Sequence, residues 1–292
     1  MKFEGVMTAI ATPFTGDGDL DLPAVDAIVN RQIEAGVDGI VVAGTTGEGS
    51  SLSDEERRAL FERVVERAAG KALVVGGAGT NSLSSTLRYL EMARECRMDG
   101  ALVVTPYYNK PTPEGLVAYY KECMRRVDIP LVLYNVPSRT ACDLVPSVVA
   151  RLADDPHAVA IKEATGDMGR VVELHRDLGD RISILSGDDP TFLALLACGG
   201  RGIVATTANV DPAGMLRVHR AWTEGRPEEA RDAQVRMMHL YRAMFVESNP
   251  GPVKHALARM GLIKPIIRPP LVMPGRESAQ VIDAALEKAG LI

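Results

Sequence analysis

Several features are scarce in this 292-residue chain, and each scarcity removes a class of function. The four cysteines, Cys96, Cys123, Cys142 and Cys198, are widely scattered and form no CxxC pair. They read as reduced core or surface thiols of a cytoplasmic protein. No apolar run approaches the ~20 residues of a membrane span. The opening Met1-Lys2-Phe3-Glu4-Gly5 leads directly into strand-like sequence without a signal-peptide pattern. Lys and Arg total 33 against 38 Asp and Glu, a formal charge of -5, with no block of either sign. That balance argues against nucleic acid or an anionic membrane as the main partner. Gly77-Ala78-Gly79-Thr80-Asn81-Ser82 places serine where a dinucleotide fingerprint needs its third glycine, and no glycine loop ends in a Walker-type lysine. The five histidines, His157, His175, His219, His239 and His255, fall on expected helices or loops away from strand ends. Asp188 and Asp189 have no histidine at ligand spacing, and Asp189 before Pro190 reads as a helix cap. No metal is called for, and no Ser/His/Asp arrangement emerges.

What is present is an alternation. Hydrophobic residues make up 46% and charged residues 24%, an ordinary globular composition. Short β-branched runs at 6–10, 39–43, 73–76, 101–105, 131–134, 159–162, 182–185 and 202–205 read as strands. Amphipathic stretches separate them. Residues 23–35 space Val25, Ile28, Val29 and Ile33 on one helix face. Ser53 with Glu56 forms a capping box, and 82–97 is capped by Asn81 or Ser82. Helices are expected at 113–126, which opens on Pro113, and at 146–152, 168–178, 190–198 and 212–224. Eight strand–helix units over roughly 225 residues are the size of an α/β, (β/α)8 TIM barrel. A doubly wound open sheet is the alternative, but it usually carries an early phosphate turn. The pattern changes at Gly225-Arg226-Pro227. The remainder reads as three helices, 228–245, 252–260 and 276–289, the first with Ala230, Ala233, Met237, Leu240 and Met244 on one face. The expected division is a barrel over 1–225 and a helical domain over 226–292.

In such a barrel the chemistry sits where the strands end. Lys162 ends the apolar run 158–161. Burial disfavours a lysine's charged form, and only the free amine attacks a ketone. The plain alternative is that Lys162 passes the strand end and pairs with a carboxylate such as Glu163. Thr45 and Thr46, framed by glycines after the second strand, offer hydroxyls and backbone N–H groups to a carboxylate, or form an ordinary turn. Tyr107 and Tyr108 follow the fourth strand, as hydrophobic rim or as proton-relay hydroxyls. Tyr134 ends the fifth strand, where it suits general acid–base work beside the lysine. Arg139 lies just beyond, suited to bidentate binding of a carboxylate, or simply solvent-facing. This set fits imine chemistry on an anionic carbonyl substrate. It does not identify the substrate.

The segments GTTGE (44–48), PYYNKP (106–111), YNVPSRT (134–140), IKEAT (161–165), SGDD (186–189), TANV (207–210) and FVESNPGPVK (245–254) occur in this order. Together they resemble the dihydrodipicolinate synthase family of pyruvate-dependent class I aldolases, over essentially the whole chain. The resemblance implies a lyase of diaminopimelate and lysine biosynthesis that condenses pyruvate with L-aspartate 4-semialdehyde, with no cofactor beyond the covalent Lys162 imine. It implies that Tyr134 shuttles protons, and that Thr45 links Tyr134 to Tyr108 contributed by a neighbouring subunit of a homotetramer, a dimer of dimers. It further implies that Thr46 holds the pyruvate carboxylate, that Arg139 receives the semialdehyde carboxylate, and that Gly187 and Val204 supply backbone groups near the lysine. Related aldolases and lyases, such as N-acetylneuraminate lyase, share the lysine and tyrosine. Thr46 after Thr45, and Arg139 within YNVPSRT, favour the synthase. A non-catalytic keto-acid-binding barrel would need no imine lysine. In feedback-inhibited members lysine binds through a tyrosine, an asparagine and a glutamate. Tyr107 and Asn81 match, but Ser85 stands where the glutamate would be, so weak inhibition or none is expected.

Overall fold

Aliphatic and β-branched runs too short for helices form eight strands, and the computed structural model, which describes residues 2–292, pairs them in chain order as a closed barrel. The strands are β1 Gly5–Ala9, β2 Gly39–Val42, β3 Leu73–Gly77, β4 Gly100–Val104, β5 Leu131–Asn135, β6 Ala158–Glu163, β7 Ser183–Ser186 and β8 Gly202–Ala205. All eight lie within a residue or two of the expected runs. The (β/α)8 barrel with C-terminal helices is the fold of the chain.

By packing, the chain divides into two compact units. One comprises the residues up to Gly5 together with Val74–Val204. It carries α3 Leu83–Glu95, α4 Pro113–Arg126, α5 Pro137–Thr140, α6 Pro146–Leu152, α7 Met168–Leu178 and α8 Phe192–Ala197. Its strands run parallel, and a single register row joins Val104, Tyr134, Lys162, Leu185 and Gly202. Successive strand residues face opposite ways, so this row fixes which side chains share a face with Lys162.

The other unit comprises Val6–Leu73 and Ala205–Ile292. It carries α1 Leu22–Ala35, α2 Asp54–Ala68, α9 Pro212–Thr223, α10 Pro227–Met244, α11 Gly251–Arg259 and α12 Arg276–Ala289. Here β1 pairs with β2 through Met7 opposite Gly39, where a Cβ on the glycine would stand 2.9 Å from Met7 Cγ. In α10, Ala230, Ala233, Met237, Leu240 and Met244 are buried as their spacing requires. The Ser53–Glu56 capping box of α2 is formed in both directions.

Three local expectations fail for identifiable reasons. Helix α8 begins at Phe192, so Asp189 is not its cap; the Asp188 carboxylate instead accepts from the Thr191 N–H at 3.1 Å and its hydroxyl at 2.7 Å. Ser82 is the N-cap of α3 but makes no capping bond, because its hydroxyl pairs with that of Ser84 at 3.0 Å. On α1 it is Gln32, not Ile33, that completes the buried face. The Gln32 amide is satisfied by the Thr8 hydroxyl at 2.8 Å and the Ala208 carbonyl at 3.0 Å. A satisfied amide buries at little cost.

Candidate active site

Lys162 occupies the penultimate position of β6 and is only 6% exposed. Its register partner on β5 is Tyr134, and its Nζ sits over the Tyr134 ring, 4.5 Å from the centroid. Lys162 makes no ion pair among the described residues. The adjacent Glu163 points to the opposite face, as strand alternation demands. There its carboxylate accepts from Asn135 Nδ2 at 3.0 Å, Arg170 Nε at 2.9 Å and the Thr165 N–H at 2.8 Å. The alternative in which Lys162 pairs with Glu163 is thereby excluded. Arg170, in the first turn of α7, takes that role, and it also bonds Asp143, which accepts from Asn135 at 3.0 Å. Sequence reading missed this network. Its signal was the polar residue following each of the two functional residues, Asn135 after Tyr134 and Glu163 after Lys162.

Gly187 follows β7 and donates its N–H to the Glu163 carbonyl at 2.7 Å. A Cβ there would stand 2.9 Å from Lys162 Cε and 2.6 Å from Ala164 Cβ. The glycine is therefore a close-approach position against the lysine stem. Val204 is buried within β8. Arg139 lies on α5, a four-residue helix opened by Pro137 and not among the helices expected from the sequence. It is exposed, and its guanidinium pairs with no carboxylate among the described residues. The loop beneath it is fixed by Thr140, whose hydroxyl donates to the Val136 and Cys142 carbonyls at 3.1 and 2.9 Å. Tyr108 is 88% exposed, with φ 73°. Its loop is tied down where Asn109 Nδ2 donates to the Asn81 carbonyl at 2.9 Å, which brings Asn81 beside the Tyr107 segment. Ser85 stands in the first turn of α3 and is half-buried.

In the second unit, Thr45 is exposed and Thr46 buried in the turn after β2. The Thr46 hydroxyl accepts from Asn249 Nδ2 at 3.0 Å. Glu48, two residues on, is ion-paired to the fully buried Lys254 and accepts from the Arg268 N–H at 2.9 Å. Lys254 Nζ and the Arg268 guanidinium both lie 4.2 Å from the Phe14 ring centroid. Burial pushes the Lys254 ammonium below the usual lysine range, against the pull of Glu48. Asn249 and Lys254 lie within a motif that the sequence displays. Their connection to residues about 200 positions away does not show at sequence level.

A parallel barrel whose sixth strand ends in a buried, unpaired lysine beside a tyrosine is a barrel equipped for amine chemistry on a carbonyl. The chain belongs to the dihydrodipicolinate synthetase family, whose model matches residues 2–289. It is 46% identical over 290 residues to the 4-hydroxy-tetrahydrodipicolinate synthase of Thermodesulfovibrio yellowstonii, covering 99% of each chain. Among solved structures it resembles the dihydrodipicolinate synthase of Thermotoga maritima, with TM-score 0.98, 39% identity and full coverage of both chains. It also resembles the chloride-inhibited enzyme of Acinetobacter baumannii in complex with pyruvate, with TM-score 0.98, 38% identity and full coverage of both chains. Among the described residues no helix is long and apolar enough to cross a membrane.

Proposed function

We propose that this chain condenses pyruvate with L-aspartate 4-semialdehyde to 4-hydroxy-tetrahydrodipicolinate, the first committed step towards diaminopimelate and lysine, through an imine on Lys162. The observation that carries the lysine's role is its burial at a strand end over the Tyr134 ring with no carboxylate to hold it as an ion pair. The Lys162 amine adds to the pyruvate ketone, and loss of water gives the imine. Tyr134 carries protons in and out of these steps. Loss of a methyl proton gives the enamine, whose carbon attacks the aldehyde. The semialdehyde's amine then displaces Lys162 as the ring closes, returning the free lysine.

Thr45 and Thr46 take the pyruvate carboxylate side of the reaction, Thr46 as its holder and Thr45 as the link in the proton relay. Arg139 receives the semialdehyde carboxylate; its exposure and its lack of a carboxylate partner suit a rim cation awaiting an anion. Gly187 and Val204 line the lysine. Tyr108, exposed on its own subunit, serves the relay of a neighbour, which makes the working form an oligomer and, on the family pattern, a homotetramer in the cytoplasm. The division at 225/226 separates the catalytic barrel from an appendix that packs or assembles it. Asn81, Tyr107 and Ser85 stand where feedback-inhibited members bind lysine, with Ser85 too short and uncharged to pair with a lysine ammonium.

The test is a coupled assay with both substrates, in which the ring product is consumed by its reductase. Turnover is expected in the wild type, with a loss of roughly 10⁴-fold or more in Lys162→Ala. Turnover with pyruvate and a different aldehyde, and none with the semialdehyde, would overturn the choice of second substrate. Titrating lysine into the same assay is expected to inhibit weakly or not at all; strong inhibition at low lysine would contradict the reading of Ser85.

A further inference from the structure

The turn that carries Thr46 is strained and anchored from afar. Ala43 and Glu48 lie in the left-handed region, at φ 53° and 51°, a conformation that non-glycine residues hold only when their surroundings enforce it. The turn closes so tightly that a Cβ on Gly49, the next residue, would stand 2.0 Å from the Ala43 carbonyl oxygen. The enforcement comes from Glu48, clamped by Lys254 and by the Arg268 N–H, and from Arg57, which donates to the Gly49 carbonyl. Lys254 lies in α11, and Asn249 stands just before that helix's N-cap, Pro250. One short segment therefore presents both the clamp on Glu48 and the amide that reaches Thr46.

That amide is peculiar. Asn249 is 5% exposed and Thr46 2% exposed. Asn249 Nδ2 donates to Thr46 Oγ1 at 3.0 Å, while its buried Oδ1 accepts no hydrogen bond among the described residues. A buried amide with an unmet acceptor is a poor stabiliser, and such atoms call for a reason other than packing. A threonine hydroxyl has one proton and two lone pairs. With a lone pair engaged by Asn249, the proton turns away from the amide, and no acceptor among the described residues takes it. The hydroxyl is thus presented as a donor. A carboxylate, which only accepts, is the ligand that such a donor suits.

We propose that Asn249 is a positioning residue, which orients the Thr46 hydroxyl as a fixed donor to the carboxylate of the 2-oxo acid substrate. This rests on the reading of Thr46 as the carboxylate holder. Asn249 itself need not touch the substrate. Its loss should act on pyruvate binding and not on the semialdehyde.

The test uses the full-length chain in the coupled assay, with N249A, N249D, T46V and the double variant T46V/N249A. N249A is expected to raise KM for pyruvate roughly ten-fold, the scale of one oriented hydrogen bond to a charged group, with KM for the semialdehyde little changed. The near-isosteric N249D accepts the Thr46 proton and adds a like charge, so its KM for pyruvate should rise further; it also keeps the test open if N249A does not fold. Because Asn249 acts through Thr46, adding N249A to T46V should do no further harm. If the double variant loses the same factor again, Asn249 acts independently of Thr46 and the proposal falls. An unchanged pyruvate KM in both Asn249 variants, with T46V impaired, overturns the proposal alone. An unchanged pyruvate KM in T46V overturns the reading of Thr46, and this proposal with it.

Discussion

At the scale of single residues, the chemistry depends on which way neighbouring side chains point. Tyr134 and Lys162 share one register row, and Asn135 and Glu163 share the next. The alternation of a strand therefore separates a lysine kept free of carboxylates from a carboxylate kept fully satisfied. Arg170 draws Glu163 into the helix layer, which removes the one adjacent anion that would hold Lys162 as an ion pair. Gly187 sets how closely the backbone approaches the lysine stem. Gly187→Ala would place a Cβ 2.9 Å from Lys162 Cε and 2.6 Å from Ala164 Cβ. Overpacking of this kind costs about 1–3 kcal/mol. The expected outcome is a kcat reduced at least about ten-fold with the cooperative thermal transition retained. Wild-type kcat in that variant would show that the lysine has room to spare.

At the scale of elements, the turn after β2 is held by α11 and the segment beyond it. Glu48 and Lys254 are both buried, so removing one partner strands the other's charge. Such a break typically costs about 3–5 kcal/mol. Glu48→Gln should therefore lower stability in chemical denaturation by about 3 kcal/mol, and the double variant Glu48→Gln with Lys254→Met should recover part of that loss. A double variant no more stable than Glu48→Gln would contradict the pairing. This clamp also marks the limit of what the sequence displays. Helices opened by proline at 113, 146 and 212 begin where expected, because proline's fixed φ and missing N–H suit a helix's first turn and not its interior. The strands were legible from β-branched runs, and Lys162, Tyr134 and Thr46 from their places at strand ends. The four-residue α5 was not legible, since so short a helix has no periodicity. Nor were the bonds from Asn249 to Thr46 and from Lys254 to Glu48, because side chains about 200 residues apart meet through the fold and not through spacing.

At the scale of the whole molecule, the proposal that Tyr108, 88% exposed on its own chain, serves the site of a neighbouring copy has a direct test. Subunits carrying Lys162→Ala and subunits carrying Tyr108→Phe are each expected to be inactive or nearly so. Co-expressed in one assembly, they should regain a fraction of wild-type turnover, because some sites then draw an intact lysine from one chain and an intact tyrosine from its neighbour. No recovery in verified hybrids would return Tyr108 to a role within its own subunit. The central claim is that Lys162 becomes covalently bonded to pyruvate, and borohydride reduction in the presence of pyruvate tests it most directly. The expected result is one added pyruvate-derived group per chain, located by peptide mass spectrometry on Lys162 and absent from Lys162→Ala. An unmodified Lys162 in enzyme that still turns over both substrates, or the added mass on another lysine, would contradict it.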